Sequence, residues 1–599
     1  MPPATYPPIS DYAFVSDCHS AALISRDGSV DWCTFHRFEA RPVFARLLDW
    51  SKGGFFRIAP ADDGYSVARR YLPGTNVLET RFETASGTLL VTDFMPVRTG
   101  PGHPDHRLLR LVSCPQGEVA VKVKFEPRFD YGLTAPRLER IDEELALVYG
   151  GADALVLQTQ LKIGALGASA CESATTVRAG EEAFVALTYA LPHELAPAWL
   201  DADAVREAFD RTVAFWREWT GRCTYRGPYR EAVERSALVL KGLTNAPTGA
   251  IVAAPTTSLP EAIGGVRNWD YRFTWLRDSS LILDALFALG YEGEAHAYVD
   301  WLRRTTAGRA DELQIVYGVG GERLMPEVEL RHLEGYRGSR PVRIGNAAAE
   351  QFQLDVYGEI MDTAWLYRCR GGEIDTVFWE LLLDIAELVA VRWAEPDAGI
   401  WEIRGEPRHF VYSKVMAWVA LDRAVRLAEA DAREAPVEEW RALCAEIRRL
   451  VEQAGVDEAT GAFVQSFGSA SLDASNLRIP LVGFVSHEDP RAVSTAQRVE
   501  AELGAGGFVH RYVTDGVDGV PGDEATFVVC TFWLVECLAG IGQVERARAL
   551  FERVVGCSND LGLLAEEIDA RSGELLGNFP QGFSHLGLIL AAIALDSVA

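Results

Sequence analysis

Four stretches of the chain gather carboxylates, arginines and aromatic rings within a few residues of one another. The first runs from Gly264 to Asp278 and carries Trp269, Tyr271, Trp275, Arg277 and Asp278. An arginine fork beside a carboxylate offers donors and acceptors at one spot, which suits two neighbouring hydroxyls of a sugar ring. A salt bridge capping a helix start would account for any one of these residues, but not for their density. The second stretch, Ser339 to Glu350, holds Arg340 and Arg343 on a loop before Asn346, a candidate helix cap. The two arginines read equally as substrate contacts or as counter-charges to nearby carboxylates.

The third stretch is Gly399 to His409. Glu402 follows Trp401 between glycine-containing turns, and desolvation there would raise its pKa toward that of a general acid. Glu406 competes with it, and a surface glutamate is the plainer reading of either. The fourth stretch places Glu566 and Glu567 after the apolar run Leu563–Ala565, with Asn578, Gln581 and Phe583 following. In an extended segment the two glutamates point to opposite sides, so one of them faces any pocket. Glycoside hydrolysis needs two carboxyl groups, one to protonate the leaving oxygen and one to activate water or attack the sugar. The residues alone nominate Glu402 or Glu406 with Glu566 or Glu567, in a pocket suited to sugars.

These stretches need elements to hold them. A chain of 599 residues exceeds one ordinary core, and 48% hydrophobic with 10% aromatic residues is a globular composition. Residues 10 to about 195 read as short strands: Phe55–Ile58, Asn76–Phe82, Leu89–Phe94, His106–Ser113, Glu118–Phe125 and Ala154–Leu161, with a hairpin turn at Ser25–Gly28. From Asp201 to Thr220 the period becomes helical, with Val205, Phe209, Val213 and Trp216 on one face. Beyond it about a dozen helices follow, near 229–243, 272–289, 292–305, 347–370, 373–393, 408–430, 436–454, 472–480, 489–503, 524–540, 543–556 and 582–597. Alternating short and long loops predict an α/α barrel with its pocket on the long-loop face. The expected fold is thus α+β with two domains: an antiparallel β-sandwich over 1–200, a linker helix and connection over 201–228, and an (α/α)6 barrel over 229–599.

Together with the run Asp11 to Asp17 and the segment Asp27 to Trp32, the four stretches resemble glycoside hydrolase family 15, the glucoamylase family. The likeness is to its bacterial and archaeal two-domain branch, and it covers nearly the whole chain. It implies an N-terminal super-β-sandwich, an (α/α)6 barrel, and an inverting exo-hydrolase that releases β-D-glucose from a non-reducing end. Trp401 and Glu402 match the segment of the general acid, and Glu566 sits at the position of the general base. Arg277 and Asp278 match the pair that binds the 4- and 6-hydroxyls of the terminal glucose. Tyr271, Trp275 and Trp401 then belong to the substrate pocket, with Arg343 a weaker match. An inverting pair implies carboxyls roughly 6.5–9.5 Å apart.

The branch includes enzymes for maltooligosaccharides, isomaltooligosaccharides and trehalose. Short maltooligosaccharide- or isomaltooligosaccharide-type α-glucosides are the expected substrate, α,α-trehalose the alternative, and glucosyl transfer a further one. After the first hairpin, members of the branch often read Asp-Trp-Leu-Cys-Leu-Pro-Arg-Phe-Asp-Ser-Pro, and the segment Trp32–Arg41 departs from that at Cys33-Thr34-Phe35-His36 and at Glu39-Ala40-Arg41. It reads equally as a loop over the barrel mouth, with His36, Arg37 and Arg41 near the leaving group, or as a domain-interface loop. A net charge of −27 argues against a nucleic-acid partner. The absence of an apolar run of membrane length argues against a span. Ten scattered cysteines and no visible leader predict a reduced, cytoplasmic protein. No metal site or cofactor is expected, and no feature speaks to oligomeric state.

Overall fold

The structure is a computed structural model that describes residues 6–97, 106–195, 199–306, 309–514, 516 and 518–598. An antiparallel sheet domain comes first. Its spine is one twenty-residue strand, Arg107–Glu126. The first half of this strand pairs with Gly87–Phe94 and Glu182–Ala190. The second half pairs with Phe55–Pro60 and Cys171–Arg178. The strand thus passes from one group of strands to another. The two strands expected at 106–113 and 118–125 are this single strand. Pro115 falls opposite the register shift between Thr88 and Leu90, where the ladder requires no N–H from it.

The first strands, Tyr12–Ser16, Ala21–Ser25 and Ser29–Cys33, are buried along their whole length. Burial on both faces follows from their position against the helical domain. Ser16 Oγ donates to Gly242 O over 2.7 Å, and Trp32 Nε1 to Pro255 O over 2.9 Å. Asn559 Nδ2 donates to Tyr12 O over 2.8 Å.

Helix α1 (Ala202–Thr220) starts at Asp201, whose side chain accepts from Ala204 N. It buries Val205, Val213 and Trp216 as its periodicity requires, and Phe209 meets Phe94 with ring centroids 5.5 Å apart. There follow α2 (Arg230–Gly242), α3 (Leu276–Ala288), α4 (Gly293–Thr306), α5 (Asp355–Cys369), α6 (Thr376–Arg392) and α7 (Val411–Ala430). After these come α8 (Val437–Ala454), α9 (Arg478–Leu481), α10 (Pro490–Arg498), α11 (Val528–Gly540), α12 (Val544–Val555) and α13 (Gly582–Ser597).

Two kinds of helix alternate. Helices α3, α5, α7, α11 and α13 are buried on nearly every side, whereas α8 buries only a stripe, Trp440, Ile447 and Val451. The first kind is interior and the second lies against it. Contacts run α13–α3, α3–α5 and α5–α7, then through the turn Ala474–Leu477 to α11 and back to α13, which closes a ring. The segments entering this ring are long (243–275, 307–354, 393–410, 455–473, 504–527 and 556–581), while those leaving it are short. The long loops therefore collect over the N-terminal ends of the inner helices, where the helix dipoles are positive.

Several expected helices begin later than their apolar period suggests. Residues 272–275 are not helical, because Thr274–Trp275 pairs with Val316–Tyr317. The span 347–370 divides into a short turn capped by Asn346 and helix α5. Residues Thr526–Phe527 pair with Glu567–Ile568 before α11 starts. The span 472–480 is a short turn, Ala474–Leu477, running into α9. All ten cysteines are free thiols, and no described helix is long and apolar enough to cross a membrane.

Candidate active site

Two adjoining recesses with shared walls open among the long loops. The inner one, with about 320 Å³ of empty space, is lined by Tyr271, Trp275, Arg277, Asp278, Glu402 and Glu566 among others. The outer one, about 440 Å³, is lined by Trp269, Asn346, Arg404, Arg267, Tyr512 and Asp518. Tyr271, Trp275, Trp401, Glu402 and Arg511 face both.

The start of α3 places the arginine–aspartate pair. Trp275 is the cap residue, so Arg277 and Asp278 fall in the first turn, where the helix dipole favours the carboxylate. Arg277 donates to Asp278 Oδ2 from Nε (3.1 Å) and Nη2 (2.8 Å). Its Nη1 reaches Glu402 Oε1 at 2.7 Å and also Ile400 O. Burial pushes the Asp278 carboxyl up to about 6, against the pull of Arg277.

Glu402 arrives from a tight turn. Its φ is +51°, a left-handed conformation rare outside glycine, and its N–H donates to Gly399 O over 3.2 Å. Its side chain is 20% exposed and lies where the two recesses meet. Trp401, anchored by Nε1 to Asp473 Oδ1 at 2.9 Å, forms the wall beside it. The rival Glu406 is exposed and lines neither recess.

Glu566 is only 1% exposed and borders the inner recess alone. Its Oε2 accepts the Asn578 N–H at 3.3 Å, and its Oε1 has no hydrogen-bond partner among the described residues. Gly577 makes room for it: a Cβ on that glycine, at φ +74°, would come within 2.5 Å of Glu566 Oε2. Burial, and next the negative charge of Glu261, raise the Glu566 carboxyl well above the usual carboxylate range, while Arg511 opposes them. The unpartnered buried atoms at this recess are Glu566 Oε1, Trp275 Nε1 and Gln581 Oε1. An inner chamber with a donor and acceptors left open is prepared for a polyhydroxylated ligand.

Glu567 turns the other way. Its Oε2 accepts the Ala525 N–H at 2.9 Å, and it joins Glu261 and Glu524 around Arg511. Arg511 Nη2 donates to Glu261 Oε2 at 2.9 Å and to Glu524. Arg511 lies among the three carboxyls, with Arg267 3.7 Å from Glu524, and offsets only part of their charge.

Arg343 does not reach either recess. Its Nη1 donates to Val266 O (2.7 Å) and Asn268 O (3.2 Å), and its guanidinium lies 4.5 Å from the Trp269 ring centre. The loop Trp32–Arg41 also stays away from the recesses. His36 packs on Tyr189 at 5.0 Å, Arg37 pairs with Glu39 and Glu322, and Arg41 lies near Asp130 and Asp153. It is a domain-interface loop. Sequence reasoning missed Glu261, Arg511 and Tyr512, and it gave no role to Trp269, Gln581 or Phe583. The run His510-Arg511-Tyr512 has the arginine–aromatic character of the first stretch and was the available signal.

Known proteins resemble this chain over nearly its whole length. The model of the glycosyl hydrolases family 15 matches residues 227–593, and a trehalase-like N-terminal model matches residues 3–188. The chain is 41% identical to a trehalase of Mycolicibacterium smegmatis, covering 98% of this chain and 91% of that protein. It is 36% identical to a trehalase of Thermoplasma volcanium, covering 99% and 94%. A bacterial glucoamylase solved in complex with acarbose shares the fold, with a TM-score of 0.70 at 11% identity over 99% of this chain and 95% of that one. These full-length relatives, named as trehalases, overturn the expectation of a hydrolase for maltooligosaccharide- or isomaltooligosaccharide-type substrates. The chain belongs to the glycosyl hydrolases family 15 and is a glycoside hydrolase.

Proposed function

We propose that the chain is an inverting α,α-trehalase. It is built as a β-sandwich over 1–200, a linker over 201–228 and an (α/α)6 barrel over 229–599. The observation that carries this reading is that Glu402 faces both recesses, whereas Glu566 faces only the inner one. A general acid must sit at the glycosidic oxygen, between the two sugars, and a general base must sit beyond the reacting carbon of one sugar. The inner recess takes the glucose that is attacked, gripped by Arg277 and Asp278 with Tyr271, Trp275 and Trp401 as walls. The outer recess, lined by Trp269, Asn346 and Arg404, takes the leaving glucose. The similarity to full-length trehalases supports a second sugar that is also glucose.

In the reaction, Glu566 removes a proton from water as the water oxygen bonds to the anomeric carbon. The carbon–oxygen bond to the leaving sugar breaks, and Glu402 gives its proton to that oxygen. The carboxyl pair thus works with one proton between them, on Glu402 in the reacting form. Because trehalose is α,α-linked, inversion yields one β-glucose from the attacked ring and one α-glucose from the leaving ring. NMR of the first-formed sugars tests this: equal α and β signals are expected, and two α-glucoses would sink the inverting mechanism. Trehalose should be cleaved in preference to maltose, isomaltose, nigerose and kojibiose.

A further inference from the structure

Arg272 has no part in this chemistry, yet it is 1% exposed and engages partners from both domains. From the helical domain, Asp270 accepts Nε at Oδ1 (2.8 Å) and Nη2 at Oδ2 (2.7 Å). From the sheet domain, Ala40 O accepts Nη1 at 3.0 Å and the Tyr131 hydroxyl accepts Nη2 at 2.9 Å. Such a buried, bidentate pair fixes direction as well as distance.

The contacts continue from Asp270 to the outer recess. Its Oδ2 accepts the Gly345 N–H at 3.1 Å, and its backbone carbonyl accepts Asn346 Nδ2 at 3.3 Å. Asn346 lines the outer recess, as does Trp269, the neighbour of Asp270 in sequence. Gly345 packs closely on the Pro326 carbonyl, where an added Cβ would lie 2.1 Å from the oxygen. Ala40 lies in the loop that departs from the branch pattern. The side chains His36, Arg37 and Arg41 of that loop stay clear of the recesses, but its backbone carbonyl holds Arg272.

We infer that Arg272 is a positioning residue through which the N-terminal sheet domain fixes the outer recess and so governs the choice of leaving sugar. The inference rests on reading that recess as the site of the leaving glucose. Its test compares two substrates of the full-length chain. Trehalose occupies both recesses, whereas α-D-glucosyl fluoride places one sugar in the inner recess and leaves as fluoride. In Arg272→Lys, kcat/KM for trehalose should fall roughly tenfold or more, while that for the fluoride stays within about twofold. Tyr131→Phe removes a single hydrogen bond and keeps the test open if the lysine variant does not fold; a selective fall of about threefold is expected there. Equal losses on both substrates, or no loss on trehalose in either folded variant, would overturn the inference. A wild-type chain that cleaves the fluoride but leaves trehalose intact would overturn the trehalase reading itself.

Discussion

Glu566 and Glu567 are adjacent in sequence and face opposite sides of the chain. Glu566 borders the inner recess, and Glu567 accepts the Ala525 N–H within the Arg511 cluster. Exchange to glutamine therefore separates them. Glu566→Gln, like Glu402→Gln, should lower kcat by about 10²–10⁴ with folding retained. Glu567→Gln should keep most of its turnover. Burial, with Glu261 and Glu524 nearby, holds the Glu567 carboxyl well above the usual range, and glutamine resembles a protonated carboxyl. Steady-state kinetics with thermal unfolding of the three variants checks this, and a dead Glu567→Gln enzyme with a normal Tm would move the base to Glu567.

Much of this arrangement was legible in sequence. Periodicity found α1 and most helices of the helical domain, because an apolar stripe or an all-apolar run survives whatever the loops do. It placed the starts of α3 and α11 too early, because apolar residues ahead of them, such as Trp275 and Phe527, are buried by loop pairing instead. Motif likeness nominated Glu402, Glu566, Arg277 and Asp278, because each stands in a short run that carries the likeness by itself. Arg511 and Glu261 escaped because their partners lie far along the chain: 250 positions separate them. Arg343 was nominated by its loop, but backbone carbonyls that no pattern reveals turn it away from the recess.

The raised carboxyl of Glu566 makes a pH prediction. In a pair that works with one proton, the upper limb of the kcat/KM profile belongs to the carboxyl that holds its proton more tightly. Burial beside Glu261 gives that place to Glu566. Activity should therefore persist above the ordinary carboxylate range and fall as pH climbs through the raised value. Glu261→Gln removes the neighbouring charge, so the upper limb should move to lower pH while the lower limb changes less. A limb that moves upward, or stays fixed, would rule out Glu261 as the cause.

The same sign governs stability. Carboxyls raised in the folded state, as for Glu261 and Glu567, contribute stability below their unfolded pKa and lose it as pH rises through the folded value. The Tm should decline over that window, and Glu567→Gln should flatten the decline. Unfolding curves from pH 4 upward, roughly from the unfolded glutamate value, measure it.

Gly577 offers a separate test of Glu566 placement. A methyl group there would lie 2.6 Å from Glu566 Cβ, and the residue already holds φ +74°. Gly577→Ala must then displace the carboxyl or strain the loop. With Arg277 and Asp278 proposed to grip the substrate and Glu566 proposed as base, kcat should fall well over tenfold while KM changes little, because a misplaced base weakens the transition state selectively. A rise in KM with kcat preserved would place Gly577 in binding instead.

Two arginines nominated from the sequence should behave differently. Arg277 joins Asp278, Glu402 and Ile400 O through one guanidinium, a geometry that an ammonium cannot reproduce. Arg277→Lys should depress kcat and raise KM together, since the fork orients Glu402 and is proposed also to grip the sugar. Arg343→Ala removes hydrogen bonds to Val266 O and Asn268 O and the cover over Trp269, with no direct contact to either recess. Its cost should appear mainly as about 1–2 kcal/mol of stability, with kcat nearly unchanged. Denaturant unfolding beside kinetics distinguishes the two, and a collapse of kcat in Arg343→Ala at full stability would put Arg343 back among the substrate contacts.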